Sequence, residues 1–434
     1  MQVEVKDVMT IVDDDDFVFG EQLVREEQKV EEYVEEVKCT ESLPALITLQ
    51  QLAVKDKNRT LMRNLGLIPS VIAILSSVRP PAIDDKQAAA LKLFALLCQN
   101  IPNREEIRKK GGIDPLIKLI ELNAEDKLVD VFQAAYLLAD SPNNKTTFKQ
   151  RGLVEATLPK IKKVGPVVLQ PIYNLIALMA LNEKKIQDII VKQGAVSNII
   201  ESILQANPGT QFAAVNALGS ICSGNRQAQA LARKSKPALN AIVQMLSNPV
   251  AENRELAATA ITAISENDFT NQVTLQKEGV LLHIATILRN PNESFSVREK
   301  ACAALAALSN GNATIQKEWK DFPLLLQTVY SGNPGTQVQA LIAISELTAN
   351  NSQNCDTLLQ AGAIPILIGS LQSETEAVQY RATSALYSLV RGNPTRKTAV
   401  KSDSHIVPTL NALKGSGNAK VKQGAEWVLE ELTR

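Results

Sequence analysis

An internal repeat of about 42 residues constrains this chain more than any other feature. The pentapeptide NPGTQ at residues 207–211 recurs at residues 333–337, which is 126 residues, or three times 42, further along. A second landmark, a small or helix-breaking residue ahead of an apolar run, returns every 40 to 46 residues, at Gly66, Gly112, Gly152, Gly194, Lys236, Gly279, Lys320, Gly362 and His405. A chain of 434 residues with such a period is expected to fold as stacked copies of one small motif.

Each unit is predicted to contain three helices. The apolar stripe Ile364, Leu367, Ile368 and Leu371 follows a helical period and begins just after Gly362, so a second helix starts at each landmark. Proline, which suits a first helical turn, stands three residues after the landmark in five units, at Pro69, Pro115, Pro323, Pro365 and Pro408.

The other two helices of each unit are predicted from asparagine and glycine. An asparagine eight or nine residues before the landmark is the expected N-cap of a short first helix, at Asn58, Asn103, Asn144, Asn271, Asn312 and Asn354. A third and longest helix, such as residues 337–347 and 378–389, is expected to end near Gly224, Gly311 and Gly392.

Three helices per 42 residues, with a glycine between the first two, resemble the armadillo repeat, most closely at residues 360–371, QAGAIPILIGSL. The resemblance covers about residues 40–434 and implies an all-α fold, a right-handed α-solenoid of about nine three-helix armadillo repeats plus a terminal half-repeat ending at residues 424–432. We therefore divide the chain into an acidic N-terminal arm and capping helix, residues 1–38, and an armadillo-repeat solenoid, residues 39–434. Lys236, Lys320 and His405 depart from the family's glycine.

The resemblance also implies a function. Third helices of armadillo arrays line a concave groove that holds an extended peptide or a helix of a partner, so the chain is expected to be a non-catalytic protein-binding scaffold or adaptor. Aligned third helices give two rows, one with Asn174, Asn216, Thr259, Ala303, Ile342 and Ser384, and one with Leu178, Ser220, Ala263, Ala307, Glu346 and Ser388. The groove candidates are Asn174, Asn216, Ser220, Thr259, Arg298, Glu346, Ser384 and Ser388.

Several interpretations of these residues stay open at this point. The asparagine amides could hold a peptide backbone, because they donate and accept together, or they could simply face water. Arg254, Arg298, Lys300 and Arg381 favour an acidic ligand if they face the groove, whereas solvated charges of the first helical turn would have no such meaning.

Two other functions are alternatives to a scaffold. One is a structural component of a large assembly, such as a ciliary axoneme, a junction or an organelle contact. The other is a nuclear-transport adaptor, since importin-α relatives grip basic cargo with a ladder of Trp in the first row and of Asn in the second. Neither ladder is repeated here, and Trp319 and Trp427 are placed outside the rows.

Composition argues against other functional classes. Two histidines in different units and five cysteines without a CxxC pair predict no enzyme, no metal and no cofactor. The first 38 residues hold 13 acidic and 4 basic residues, which leaves about nine net positive charges spread over the rest, too dilute for nucleic acid. Without an apolar run of 18 residues, direct membrane insertion is not expected. The expected location is the cytoplasm, with the nucleus or a cilium or cytoskeleton as alternatives.

The N-terminal arm carries a regulatory hypothesis. Asp13, Asp14, Asp15 and Asp16 precede Phe17 and Phe19, and their charge is opposite to that of the body. The arm could compete for the groove, or it could be a solvated cap on the first repeat. If it competes, deleting residues 1–20 raises the affinity for a partner several-fold in a calorimetric titration, and unchanged affinity would contradict competition.

Overall fold

The computed structural model describes residues 14–78, 83–122 and 127–434, and side chains from residue 24 onwards. The chain forms two compact units, one ending at Leu175 and the other running over Ile176–Arg434, with the boundary inside a helix. In the described residues the regular structure consists of α-helices α1 to α29 and short 3-10 turns at Leu158–Lys160 and Met245–Ser247.

The helices follow the predicted groups of three. First helices are α3 Asp56–Asn64, α6 Ile101–Lys109, α9 Pro142–Gln150, α12 Lys184–Lys192, α15 Arg226–Arg233, α18 Phe269–Lys277, α21 Ala313–Glu318, α24 Ser352–Gln360 and α27 Pro394–Lys401. Second helices are α4 Leu67–Ser76, α7 Ile113–Leu122, α10 Leu153–Thr157, α13 Ala195–Gln205, α16 Lys236–Gln244, α19 Val280–Arg289, α22 Phe322–Ser331, α25 Ala363–Leu371 and α28 Ile406–Leu413. Third helices are α5 Asp85–Leu97, α8 Leu128–Ala139, α11 Pro166–Ala180, α14 Pro208–Cys222, α17 Ala251–Ser265, α20 Phe295–Ser309, α23 Pro334–Thr348, α26 Glu376–Val390 and α29 Ala419–Thr433.

The incomplete repeat lies at the N-terminal end rather than at residues 424–432. Helix α29 completes the ninth group of three, and the helices left over are α1 Asp14–Thr40 and α2 Leu43–Leu52. The landmark in the sequence marks only the start of a second helix. It therefore could not reveal α1 and α2, which lie before the first complete group of three. Val30, Val34 and Val37 of α1 are buried, and α1 packs against α2, α3 and α4.

Short sequence signals set where many helices begin and end. In the NPGTQ motif, Asn207 caps α14 by accepting from the Thr210 amide at 3.0 Å, and Pro208 is the first helical residue. Gly362 begins α25 with φ of 85°, a left-handed conformation that residues with a side chain rarely adopt. Gly224, Gly311 and Gly392 likewise have positive φ just past a third helix, as predicted.

The predicted asparagine caps are wrong at five of six positions. Asn312 caps its helix, but Asn58, Asn103, Asn144, Asn271 and Asn354 lie inside the first turn and are fully or almost fully buried. The caps of three of these helices are the residues three positions earlier, Asn100, Asp268 and Asn351. The buried asparagines instead donate to backbone carbonyls, as Asn271 does to Gln229 at 3.2 Å and to Ile264 at 2.7 Å.

Buried glutamines at the fourth position of the first helices donate to the ends of third helices. The Gln272 amide nitrogen donates to Ser265 at the end of α17 and to Ala307 and Asn310 at the end of α20, at 2.9 to 3.4 Å. Gln187, Gln229 and Gln316 make equivalent bonds to the carbonyls at the end of α14, α17 and α23. The last carbonyls of a helix have no partner within it, so each glutamine satisfies groups that burial would leave unpaired. We call these four side chains the glutamine ladder.

Third helices pack side by side within the second unit. Contacts run from α14 to α17 and onward through α20, α23 and α26 to α29, and each of these helices has 15 residues. Gly219 allows a close approach, because a side chain there would stand 3.1 Å from the Cα atom of Ala260. Equal lengths and close packing keep equivalent positions of neighbouring helices in line.

The buried amides predict a stability effect. Asn271→Ala removes donors to two buried carbonyls and should lower the free energy of unfolding by about 2 kcal/mol, measured by urea denaturation. Thr270→Ala, at the exposed neighbouring position, is the matched control and should change it little. Equal losses for the two variants would show that the buried amide does not stabilise the stack.

Candidate functional site

The third helices of the second unit present a periodic surface, which we call the third-helix face. It comprises the residues around the ninth and thirteenth position of α14, α17, α20, α23, α26 and α29. Most of these residues are exposed or half-buried, whereas Ser220, Ala263 and Glu431 are buried. The ninth positions are Asn216, Thr259, Ala303, Ile342, Ser384 and Trp427. The thirteenth positions are Ser220, Ala263, Ala307, Glu346, Ser388 and Glu431. Both predicted rows thus recur in line within this unit.

A concave pocket of about 330 Å³ lies on this face between α14, α17 and α20. Its lining includes Asn216, Ser220 and Thr259, three of the predicted groove residues, together with Lys300 and Glu266. Thr259 is exposed and Asn216 is half-buried, whereas Ser220 is only 9% exposed at the pocket floor. The pocket combines apolar walls with a few polar groups, an arrangement typical of a binding surface.

Charge changes along the face. The exposed carboxylates Glu252 and Glu266 lie in the first turn of α17 and just past its end. Arg381 lies in α26, and Arg391 lies just past its end. Burial raises the pKa of the half-buried Glu346 on α23, and the neighbouring Arg381 partly opposes this effect. The face is therefore neither uniformly acidic nor uniformly basic.

Trp427 belongs to the first row, contrary to the sequence analysis. Its position in α29 is the ninth, equivalent to Asn216 in α14 and Ser384 in α26, and 47% of the side chain is exposed. The ring lies 6.4 Å from that of Tyr387, and the Arg391 guanidinium stands 5.9 Å from the Tyr387 ring centre. Assigning α29 to a half-repeat hid this alignment. An aromatic and arginine cluster therefore marks the C-terminal end of the face.

Two predicted basic groove residues serve the fold instead. Arg298 is 9% exposed and donates to the carbonyls of Asn290 and Pro291, at 2.7 and 2.9 Å, which holds the loop before α20. Arg254 donates to Asn248 and Pro249 in the same way and pairs with Glu293 at 2.7 Å. A guanidinium can satisfy several loop carbonyls at once, and sequence spacing does not distinguish this use from ligand binding.

The remaining predicted site residues lie in the first compact unit, at the start of α1, or outside the described residues. Asn174 is half-buried on α11 in the first compact unit. Asp13 lies outside the described residues, and Asp14, Asp15, Asp16, Phe17 and Phe19 are in the first turns of α1, where only the backbone is described. The competing role of the arm stays a prediction.

Groups able to do chemistry are dispersed or buried. Cys98, Cys222, Cys302 and Cys355 are buried, and burial raises the pKa of the Cys302 thiol to about 12. His283 bonds Ser247 at 2.8 Å, and burial lowers its pKa. In the part of the chain that the structure describes, no group of three His, Cys, Asp or Glu residues could hold a metal ion. No helix within residues 14–78, 83–122 and 127–434 is long and apolar enough to span a membrane.

Comparison with known proteins finds a family model and several relatives that match parts of the chain. The model described as "Armadillo/beta-catenin-like repeat" matches residues 351–391. Importin subunit alpha-3 of Arabidopsis thaliana is 22% identical over 241 residues, which are 55% of this chain and 45% of that protein. Armadillo repeat-containing protein 3 of Homo sapiens is 26% identical over 189 residues, 43% of this chain and 21% of that protein. The chain spans less than half the length of either relative.

Solved structures share the fold. An engineered protein matches with a TM-score of 0.79 and 20% identity over 94% of this chain and 99% of its own. A designed armadillo repeat protein in complex with the peptide (KR)4 matches with a TM-score of 0.50 and 21% identity over 55% of this chain and 99% of its own. The first of these structures shares the fold of most of the chain, and the second that of about half of it.

The half-buried carboxyl of Glu346 predicts a pH effect. Its pKa in the folded protein is raised above the ordinary ~4.3 of an unfolded chain, so stability is lost as pH rises through the folded value. Glu346→Gln should therefore stabilise the protein by at most about 0.5 kcal/mol at pH 7, with the gain vanishing below pH ~4. Thermal unfolding across this range tests it, with Glu252→Gln at an exposed position as the control. A gain that is constant with pH would contradict the assignment.

Proposed function

We propose, from the premise that the chain is an armadillo-repeat protein, that it is a non-catalytic scaffold which binds an extended segment of a partner protein on the third-helix face. The observation that most supports this proposal is that the two rows lie at equivalent positions of helices of equal length. A pocket is also lined by three of the predicted groove residues. A repetitive face of this kind suits a ligand that is itself repetitive, and an extended polypeptide is one.

The dimensions favour an extended ligand. Packed helices lie about 8–10 Å apart, and an extended chain advances about 3.3 Å per residue. Each third helix therefore faces about three residues of a peptide that crosses the stack, so side chains can meet equivalent positions of successive helices. Asn216, Ser384 and Ser388 offer donors and acceptors to the peptide backbone, while Ile342, Tyr387 and Trp427 offer apolar area.

Similarity to a peptide complex supports this mode of binding. The designed armadillo repeat protein that shares this fold is in complex with the peptide (KR)4. Here the face bears carboxylates near α17 and arginines on α26, so the preferred segment is expected to carry mixed charge, basic toward α17 and acidic toward α26.

A nuclear-transport adaptor is the second candidate, because importin alpha subunits are among the relatives. Trp427 at a ninth position favours it. The other ninth positions hold Asn, Thr, Ala, Ile and Ser, and the thirteenth positions hold no asparagine. The scaffold is therefore the better supported function, in the cytoplasm or the nucleus.

Disrupting the pocket should remove partners selectively. Thr259→Arg combined with Asn216→Ala places a bulky charge in the pocket and removes an amide, and it should lower partner recovery at least tenfold. Affinity capture from the native cell, quantified by mass spectrometry, measures this. Ser220 also lines the pocket but is buried, so a substitution by arginine there would disturb the packing of the helices and is not used.

Gln244→Arg, an exposed substitution on the second helix α16, is the matched control and should keep all partners. Partners retained in fixed ratio by both variants would contradict the proposed face and would favour a structural component of a large assembly. A loss restricted to Lys-rich cargo would favour the transport adaptor.

A further inference from the structure

The glutamine ladder ends at Gln316, and Cys355 stands at the equivalent position of the next first helix. This residue has the fourth position of α24, which Gln272 occupies in α18 and Gln316 in α21. Its thiol is within 3.5 Å of the carbonyls of Thr348 and Ser388, the same two helix ends that a glutamine would bridge. A thiol is a weak donor and has one hydrogen, so it replaces an amide group poorly.

A pocket of about 290 Å³ opens where the shorter side chain stands. Its lining includes Thr348, Cys355, Tyr387, Ser388, Arg391 and Arg396. Asn350, Ser352 and Arg391 are exposed, so the pocket is reached from solvent. Tyr387 and Ser388 also belong to the third-helix face, so the pocket borders that face.

The lining offers carbonyl oxygens as acceptors, and it also holds one buried donor that has no partner. The Ser388 carbonyl accepts the weak Cys355 thiol at the position where a glutamine amide of the ladder would donate to it. Arg396 is 5% exposed, and one of its terminal nitrogens bonds Ser352 and Asp356, at 3.0 to 3.1 Å. Its Nε is buried with no hydrogen-bond partner. Buried polar groups of this kind are normally paired.

A carboxamide matches this lining better than a charged group does. Its NH2 group can donate to two carbonyls, and its oxygen can accept from Arg396. A carboxylate could accept from Arg391 or Arg396, but it has no hydrogen to donate to the Thr348 and Ser388 carbonyls and would be repelled by them. An ammonium or guanidinium could donate to these carbonyls but would face the two arginines. The chain shows the fit itself, because Gln272 donates to the helix ends while its oxygen accepts from Asn312 at 3.1 Å.

We propose that this pocket takes the side chain of a glutamine or asparagine carried by the partner segment on the third-helix face. The inference rests on the proposed function. The partner then completes the glutamine ladder in the eighth unit, and the segment is anchored in register by one side chain.

The first arm of the test measures the pocket alone. Cys355→Gln should supply the amide from within the chain and raise the midpoint of thermal unfolding by about 2 °C. Cys355→Met, of similar length but without donors, is the matched control and should give no such rise. Equal midpoints for the two variants, or a loss with glutamine, would overturn the assignment of a carboxamide.

The second arm measures the partner. A library of random 12-residue peptides displayed on phage is selected on the wild type and on Cys355→Gln. Peptides from the wild type should share glutamine or asparagine at one position, and a synthetic consensus peptide should bind the variant at least tenfold more weakly. Peptides without this preference, or with the same preference on both proteins, would overturn the inference while leaving the proposed function standing.

A selection that yields no peptide on either protein would contradict the proposed function and the occupant with it. In that case the thermal measurements still decide whether the pocket accepts an amide. The two failures are therefore distinguishable.

Discussion

Pairing of the backbone groups at the ends of the third helices is the constraint on which the rest of the structure depends. Stacking fifteen-residue helices buries residues at their C-terminal ends, where the last carbonyls have no partner within the helix. Gln187, Gln229, Gln272 and Gln316 donate to these carbonyls, and buried asparagines beside them tie neighbouring first helices together. The helices are thereby fixed in line, which is what aligns their outward residues into a face.

The same constraint connects fold and function. Because equivalent positions of successive repeats lie in line, a change of residue type in one repeat changes the surface only at that repeat. At Cys355 the internal amide is absent and a pocket lies beside the face. At Trp427 an aromatic side chain stands where the other five helices of the face have Asn, Thr, Ala, Ile or Ser. Binding specificity can therefore differ from one repeat to the next while the stacking of the helices stays unchanged.

The sequence predicted the helices and the rows but misread the roles of some polar residues. Asparagine near a helix start usually caps it, yet Asn103 and Asn271 lie three residues inside and bond carbonyls 44 and 42 residues earlier in the chain. Arg298 resembled a ligand-binding cation and instead holds its own loop. These roles depend on what lies across the stack, which spacing along the chain does not reveal.

By itself the sequence determined the all-α class and the period of about 42 residues, because helix period, proline and glycine act locally. Only the tertiary structure decided which polar side chains are buried and which face solvent. It also decided that the incomplete repeat is N-terminal and that Trp427 joins the first row. The physical reason is that hydrogen bonds between repeats join residues about 40 positions apart, so their partners are fixed by stacking rather than by sequence neighbours.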